Sequence, residues 1–400
     1  MKIPKLRFLN FNDDLHEKKL GSIVDIFRGS SPRPKADPKF YGGPIPRLMI
    51  EDVTRDGKYV TPKVDSLTLE GAKKSRFLTK GSLVLSCSGT RVAIPGILNV
   101  DACIHDGFFG FKNFKELDKE YLFYFFEKLH ESIQSSATKG ATFNNLTTEI
   151  MKTMSFVLPS QLEQKKIASF FRILDKRIKL QQEKIDLLKE QKKGYLLKIF
   201  NQEIRLKDNN GIAFPKWSEV KISDILSSKD IRQIPSNEAP LMAFTSSGGI
   251  ESKGDRYNRE FLVKNPNKTY KRTDFNDLIY SSNNLDVGAI GRNKYGSSVI
   301  SDVYEVFEVK DGYKAEFIEI LIQQKSFLSK ILKFRQGALY GQYRIHASDF
   351  LSVSVLVPSF GEQVKLSNFI MKLDLKLSLE TDKLETLIKQ KQAFMQQMFI

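Results

Sequence analysis

LPSQLEQKKIASFFRILDKRIKLQQEKIDLLKEQKKGYLLKIF (158–200) and VPSFGEQVKLSNFIMKLDLKLSLETDKLETLIKQKQAFMQQMFI (357–400) are one passage written twice, offset by 199 residues without a gap. Pro159 matches Pro358, Ser160 matches Ser359, and Glu163–Gln164 matches Glu362–Gln363. Phe170, Leu174, Asp175, Lys184, Leu188, Gln191, Lys192 and Phe200 match Phe369, Leu373, Asp374, Lys383, Leu387, Gln390, Lys391 and Phe399. A fixed period at this density marks an internal duplication, and one repeat unit is half of the 400-residue chain.

Each copy has the period of a long helix. Phe171, Leu174, Ile178, Gln181, Ile185, Leu188, Lys192, Tyr195 and Ile199 are spaced three and four apart, the a/d seam of a coiled coil. Ile370, Leu373, Leu377, Glu380, Leu384, Leu387, Lys391, Phe394 and Met398 fall in the same phase, so even the two polar interruptions recur. A Pro-Ser pair precedes each run, and serine suits a helix N-cap. Forty residues at about 1.5 Å rise give a rod of roughly 60 Å. The shared seam predicts that the helices pair. The second globular part begins beside the end of the first helix, so an antiparallel pair with pseudo-twofold symmetry is the simplest connection. Pairing of each helix with another protein molecule is the competing reading.

The 160-odd residues before each helix are mixed and strand-rich. LGSIVDI (20–26) parallels ISDIL (222–226), and residues 80–88 parallel residues 276–284. A Val- and Gly-rich segment follows each, then a short helix around 118–134 and 314–332, a Gly-led loop (Gly140, Gly337) and a strand running into the Pro-Ser cap. The expected fold is α+β: two tandem mixed α/β domains joined by two long helices that form an antiparallel coiled coil, with domains at 1–158 and 204–357 and helices at 159–203 and 358–400. The heads then sit at opposite ends of a rod, which acts as a ruler.

Composition narrows the function. The chain carries 63 Lys+Arg against 47 Asp+Glu, a formal net charge of +16, which points to a polyanionic partner, nucleic acid first. The excess is uneven: residues 161–200 hold 11 basic and 5 acidic side chains, residues 360–400 hold 6 and 5. The first helix is therefore the densest in positive charge, either as a solvated coiled-coil face or as a surface that tracks a nucleic-acid backbone. Two cysteines exclude a disulfide scaffold. No signal peptide is read at MKIPKLRFLN and no apolar run reaches 18 residues, so a cytoplasmic protein without a membrane span is expected.

Catalytic machinery is not apparent in the sequence. There is no G-x-x-x-x-G-K-[ST] phosphate loop, no G-x-G-x-x-G after a strand, and no N-P-P-Y or D-P-P-Y run of an amino-methyltransferase. Cys103-x-His105-Asp106 lacks the second half of a zinc site, and no metal is assigned. Asp302, Glu308 and Lys310 have the composition of a magnesium-dependent nuclease, yet DVYEVFEVK also alternates as a half-exposed strand.

Base reading needs Arg, Lys, Asn, Gln and hydroxyls on loops that enter a groove. In the first unit the candidates are Arg28, Ser30, Arg33 and Lys35, then Ser88 and Arg91, then Lys139, Thr142, Asn144 and Asn145. In the second they are Ser246, then Asn283, Asn284 and Arg292, then Arg335, Gln336, Tyr340, Gln342, Tyr343 and Arg344, with the last Gly-punctuated loop the foremost.

The layout resembles the specificity (S) subunit of Type I restriction–modification systems over the whole chain. The carriers are the duplicated PS-x-x-EQ segments at Pro159–Gln164 and Pro358–Gln363, the Phe214-Pro-x-Trp217 entry to the second unit and the PKLRF opening; the first unit has Leu15 where the second has Trp217. The resemblance implies two target recognition domains that each read one half of a split, asymmetric site on double-stranded DNA. It implies that the helices set the spacer and dock two methyltransferase (M) subunits, and that restriction/translocase (R) subunits join through the complex. It further implies no catalysis by this subunit and no cofactor bound by it; S-adenosylmethionine, ATP and magnesium belong to the partners. A stand-alone DNA-binding nuclease and a coiled-coil scaffold are the alternatives.

Overall fold

The computed structural model describes residues 3–13, 15–89, 92–137, 146–245, 249–252, 267–282, 285, 289–334, 336–339 and 342–399. The chain forms two compact units, residues 1–185 with 380–400, and residues 186–379. Each long helix therefore contributes to both.

In the first unit the core is a five-stranded sheet in the order Asp25–Arg28, Phe108–Lys112, Leu83–Ser86, Pro95–Leu98, Tyr59–Val60. Leu83–Ser86 is buried at every position, the pattern of a central strand covered on both faces. A second sheet runs Asp65–Leu67, Tyr41–Leu48, Ala102–Ile104, Arg76–Leu78. The helix Lys119–Ala137 buries Tyr121, Leu122, Phe125 and Phe126 in the same core: Phe126 meets Phe111 of the first sheet, and Tyr121 and Phe125 meet Phe399. Strand His16–Lys19 pairs antiparallel with Ser155–Leu158, and that pair delivers the chain into the first long helix, Gln161–Phe200.

The second unit repeats the plan. Its sheet runs Leu226–Ser228, Tyr304–Val309, Leu278–Ser281, Ile290–Arg292, the same order as the first four strands of its counterpart. Strand Ser218–Lys221 pairs with Ser354–Val357 ahead of the second long helix, Phe360–Met398. Two expectations change here. The helix foreseen at 314–332 is two, Ala315–Ile322 and Lys325–Ile331. It breaks where the Gln323 and Gln324 side chains donate to the carbonyls of Ile290 and Ile320, at 3.1 and 2.7 Å. The loop foreseen at 335–344 contains a hairpin, with Gln336 opposite Arg344 and Leu339 opposite Gln342.

Within each unit the long-helix segments run antiparallel. In the first, Phe171 meets Phe399, Phe170 meets Phe394, and Gln181 meets Glu380. In the second, Tyr195 meets Phe369 and Lys192 pairs with Asp374. The pairing positions read from the sequence lie inward: Phe171, Leu174, Ile185, Ile370 and Leu387 are buried, and Ile178, Leu188, Leu373, Leu377 and Leu384 are half-buried.

The polar interruptions of the seam have partners. The Gln181 amide donates to a Glu380 carboxylate oxygen at 2.7 Å and to its carbonyl at 2.8 Å, and Lys184 reaches the other carboxylate oxygen at 2.5 Å. These bonds hold the Glu380 carboxyl below its usual range. Lys391 lies between Glu127 and Asp175, at 2.7 Å from each. Burial alone would lower the Lys391 pKa, but the two carboxylates outweigh it and raise it. The equivalent pair in the second unit is Lys192 with Asp374.

Leu387→Ala removes a side chain only 6% exposed and should cost about 2–5 kcal/mol in urea unfolding. Leu187→Ala, at a position 72% exposed on the same kind of helix, should change stability by less than about 0.5 kcal/mol. Equal effects would overturn the assignment of the seam.

Candidate nucleic-acid interface

In the first unit the basic loop is held by a polar scaffold at its base. Arg28 ends a strand and donates through Nε to the Asp106 carbonyl at 2.5 Å. Ser31 Oγ donates to the Asp106 carboxylate at 2.5 Å, and Arg47 donates to Ser31 Oγ at 2.8 Å and to Asp65 at 2.5 Å. Arg47 is 8% exposed, its guanidinium 5.3 Å from the Tyr41 ring centre. Ser30 donates to the Lys74 carbonyl at 3.1 Å and its own carbonyl accepts from Ser75. Arg33 and Lys35 are exposed on this loop, and Ser88 is half-buried. The Ser31 hydrogen bond lowers the Asp106 pKa against an opposing effect of burial. The result is a fixed carboxylate acceptor beside two free-standing cations, the functional groups that meet base amines and phosphates.

His105 sits below this loop. Burial and the Arg47 charge push its pKa down, and its Nδ1 accepts from the Gly107 amide at 2.8 Å. Cys103 is buried within its strand. Among the described residues no three His, Cys, Asp or Glu side chains are grouped to hold a metal ion. Asp302, Glu308 and Lys310 are not gathered into a site: Asp302 pairs with Arg232 at 2.9 Å, Lys310 donates to the Ser223 carbonyl at 2.7 Å, and Glu308 lies in the strand Tyr304–Val309.

In the second unit the structure corrects one candidate. Arg292 is 6% exposed and its guanidinium meets Glu319 at 3.3 Å, Glu316 at 3.4 Å and Asn276. The strand Ile290–Arg292 is buried under the helix Ala315–Ile322, and two glutamates of that helix neutralise the arginine, so it serves the fold. Arg344, by contrast, is exposed on the hairpin strand Gln342–Arg344 and lies 3.6 Å from Glu305. Arg91, Lys139, Thr142, Asn144, Asn145, Ser246, Asn283, Asn284, Arg335 and Tyr340 lie outside the described residues, as do the side chains of Gln336, Gln342 and Tyr343.

The residues that carry the repeat prove to be joints. Glu163 is 1% exposed and accepts from Arg7 Nη2 at 2.7 Å and Nε at 3.0 Å. Glu362 is fully buried and accepts from Arg205 Nε and Nη2, both at 2.9 Å. Gln164 donates to the Glu116 and Pro159 carbonyls, each at 2.9 Å, and accepts from the Asp118 amide at 2.7 Å. Gln363 donates to the Pro358 carbonyl and accepts from the Lys314 amide, each at 2.9 Å. Each glutamine thus ties the loop before a domain helix to the start of a long helix. The serine caps are weaker than expected: Ser160 Oγ is 3.5 Å from the Glu163 amide, and Ser359 Oγ is buried with no hydrogen-bond partner among the described residues. Sequence reasoning marked the Glu-Gln pair without finding its partners. The recurrence of an arginine in PKLRF and at Arg205 was the available signal.

The described residues thus form a mixed α/β fold in which a domain-plus-helix plan occurs twice, with one buried joint in each unit. Residues 12–190 match the family described as the Type I restriction modification DNA specificity domain. The chain is 23% identical over 97% of its length to the Type I restriction enzyme MjaVIII specificity subunit of Methanocaldococcus jannaschii, covering 92% of that protein. It is 26% identical over 59% of its length to the MjaIX specificity subunit of the same organism, covering 55% of that protein. In fold it is similar to the Type-I restriction-modification system S subunit from M. genitalium, with a TM-score of 0.55 and 17% identity over 100% of this chain and 99% of that one. The chain thus resembles Type I restriction–modification specificity subunits, and its residues 12–190 match the model of their DNA specificity domain. No helix among the described residues is long and apolar enough to cross a membrane.

Gln164→Ala leaves the Asp118 amide and two carbonyls without their partner, at roughly 1–3 kcal/mol for each group left buried. Hydrogen exchange should then show faster exchange at Asp118 and unchanged exchange at Lys314; Gln363→Ala should do the reverse. Loss of protection at both amides in either variant would contradict the assignment of one joint to each unit.

Proposed function

We propose that this chain is the DNA-reading subunit of a Type I restriction–modification complex, non-catalytic by itself. Its two units are tandem target recognition domains, and each binds one half of a bipartite, asymmetric site on double-stranded DNA. The two long helices form the antiparallel coiled coil that sets the spacer between half-sites and docks two methyltransferase subunits. Restriction/translocase subunits join through that complex. S-adenosylmethionine, ATP and magnesium belong to those partners, and the working compartment is the cytoplasm.

The observation that carries the reading is the twice-built joint. A repeated Glu-Gln pair, its glutamate bound to an arginine (Arg7 or Arg205) and its glutamine to a pre-helix loop (at Asp118 or Lys314), fixes a mixed α/β domain to a long helix in each half of the chain. Two heads fixed in this way to paired helices suit a split site. The candidate contacts are the exposed basic loop 28–35 in the first unit and the Arg344 hairpin in the second.

Methylome sequencing of cells with and without the gene tests the proposal. Deletion should erase adenine methylation at one bipartite motif. Survival of every bipartite methylated motif in a strain whose methyltransferase subunit is active would refute it. Arg344→Ala should relax or abolish reading of one half-site only, by about 1–3 kcal/mol if it makes a base contact.

A further inference from the structure

Glu305 lies in the strand Tyr304–Val309 of the second unit, with 16% of its side chain exposed. Its Oε2 pairs at 2.8 Å with Lys271, whose side chain is 9% exposed and sits in the strand Tyr270–Thr273. Its Oε1 faces Arg344 Nη2 at 3.6 Å. Arg344 has 56% of its side chain exposed. Its hairpin is anchored at the next residue: the Ile345 amide donates to the Ser282 carbonyl at 3.1 Å, and the Tyr280 hydroxyl donates to the Ile345 carbonyl at 3.1 Å. Tyr280 in turn stacks between Phe307 and Phe350, with ring centres 5.8 and 4.7 Å away. Glu305 therefore cannot swing out with a flexible loop. The buried lysine fixes one of its oxygens, and the other points at a solvent-reaching arginine.

We infer that Glu305 is a specificity-determining residue that restrains Arg344, holding this cation against the sheet so that it does not engage phosphates indiscriminately. This rests on the reading of the Arg344 hairpin as a DNA contact. The physical argument is one of competing anions. The carboxylate is fixed by the fold, so it is present at every DNA encounter. A phosphate offers Arg344 a similar charge-assisted bond and gains little by displacing Glu305. A base edge in the correct site adds hydrogen bonds that a phosphate does not supply. Glu305 faces Nη2 alone, so a base edge that takes the other guanidinium N–H groups leaves this pair intact, whereas a phosphate reached away from the sheet breaks it; Glu305 therefore weakens nonspecific binding more than specific binding. Without the carboxylate, Arg344 becomes a free phosphate ligand.

The test uses the full-length chain with a 30-base-pair duplex of random sequence, measured by fluorescence anisotropy over a salt series. Glu305→Gln should raise nonspecific affinity several-fold and steepen the plot of log affinity against log salt by up to about one, the value of one added phosphate contact. Arg344→Ala placed on top of Glu305→Gln should cancel both changes. Because Glu305→Gln leaves Lys271 facing an amide, the double variant Lys271→Gln/Glu305→Gln repeats the measurement without a buried ammonium, and thermal melting checks that each variant is folded. An unchanged salt slope in both Glu305 variants, or a gain that persists when Arg344 is alanine, overturns the inference. If Arg344→Ala alone changes neither duplex affinity nor the methylated motif, the parent reading of the hairpin fails instead.

Discussion

A buried glutamate that grips an arginine from a distant segment is the constraint on which each half of this molecule depends. A carboxylate with almost no solvent contact is costly to bury, and only a close, doubly bonded guanidinium offsets that cost. Glu163 with Arg7 and Glu362 with Arg205 meet this requirement in the same geometry. The neighbouring glutamine then ties the pre-helix loop to the helix start, so domain and helix share one set of bonds. Within each unit the domain is therefore bonded directly to the start of its long helix.

The two copies of the junction have diverged in their surroundings. In the first unit Lys391 is enclosed by Glu127, Asp175 and the Tyr124 ring, and burial raises the pKa of Glu127. Tyr124 also donates to Asp175 at 2.6 Å and accepts from Lys58 at 2.9 Å, so the domain helix, the first sheet and both long helices meet in one charged network. In the second unit Lys192 and Asp374 pair in a setting where half of the aspartate side chain meets solvent. A duplicated contact has become a buried network in one unit and a surface pair in the other. Surface pairs contribute little to stability, so the second junction relies more on its apolar contacts, among them Phe200 with Trp217 and Phe317.

The helices and their seam were legible from sequence because a heptad is a local signal: burial at Phe171 or Leu387 follows from spacing alone. The central strands were legible as equivalent segments, residues 80–88 and 276–284, which hold LVLS and LIYS, but their neighbours in the sheets were not, because pairing joins residues distant in sequence. Arg292 was misread for a physical reason. A basic residue after a glycine-rich segment looks like a loop, and its true partners, Glu316 and Glu319, come from a helix more than twenty residues on. The joint had the same obscurity. Conserved spacing between the copies marked Glu163 and Gln164 as special, but Arg7 lies 156 residues away from its carboxylate. The hairpin at 336–344 was hidden because its strands are short and glycine-punctuated.

The meeting of Gln181 with Glu380 has a consequence for self-association. These residues occupy equivalent positions in the two copies of the repeat, yet they bond to each other, amide to carboxylate. Were the second helix to pair through this seam with another molecule's second helix, two Glu380 carboxylates would lie side by side in a partly dry interface, and the Gln181 amide that binds Glu380 twice would be missing from it. Two first helices would bring two Gln181 amides and two Lys184 ammonium groups together and lose the carboxylate that binds both. Duplication left one chain with two copies of a single seam; divergence at one position within it made each copy a better partner for the other than for itself.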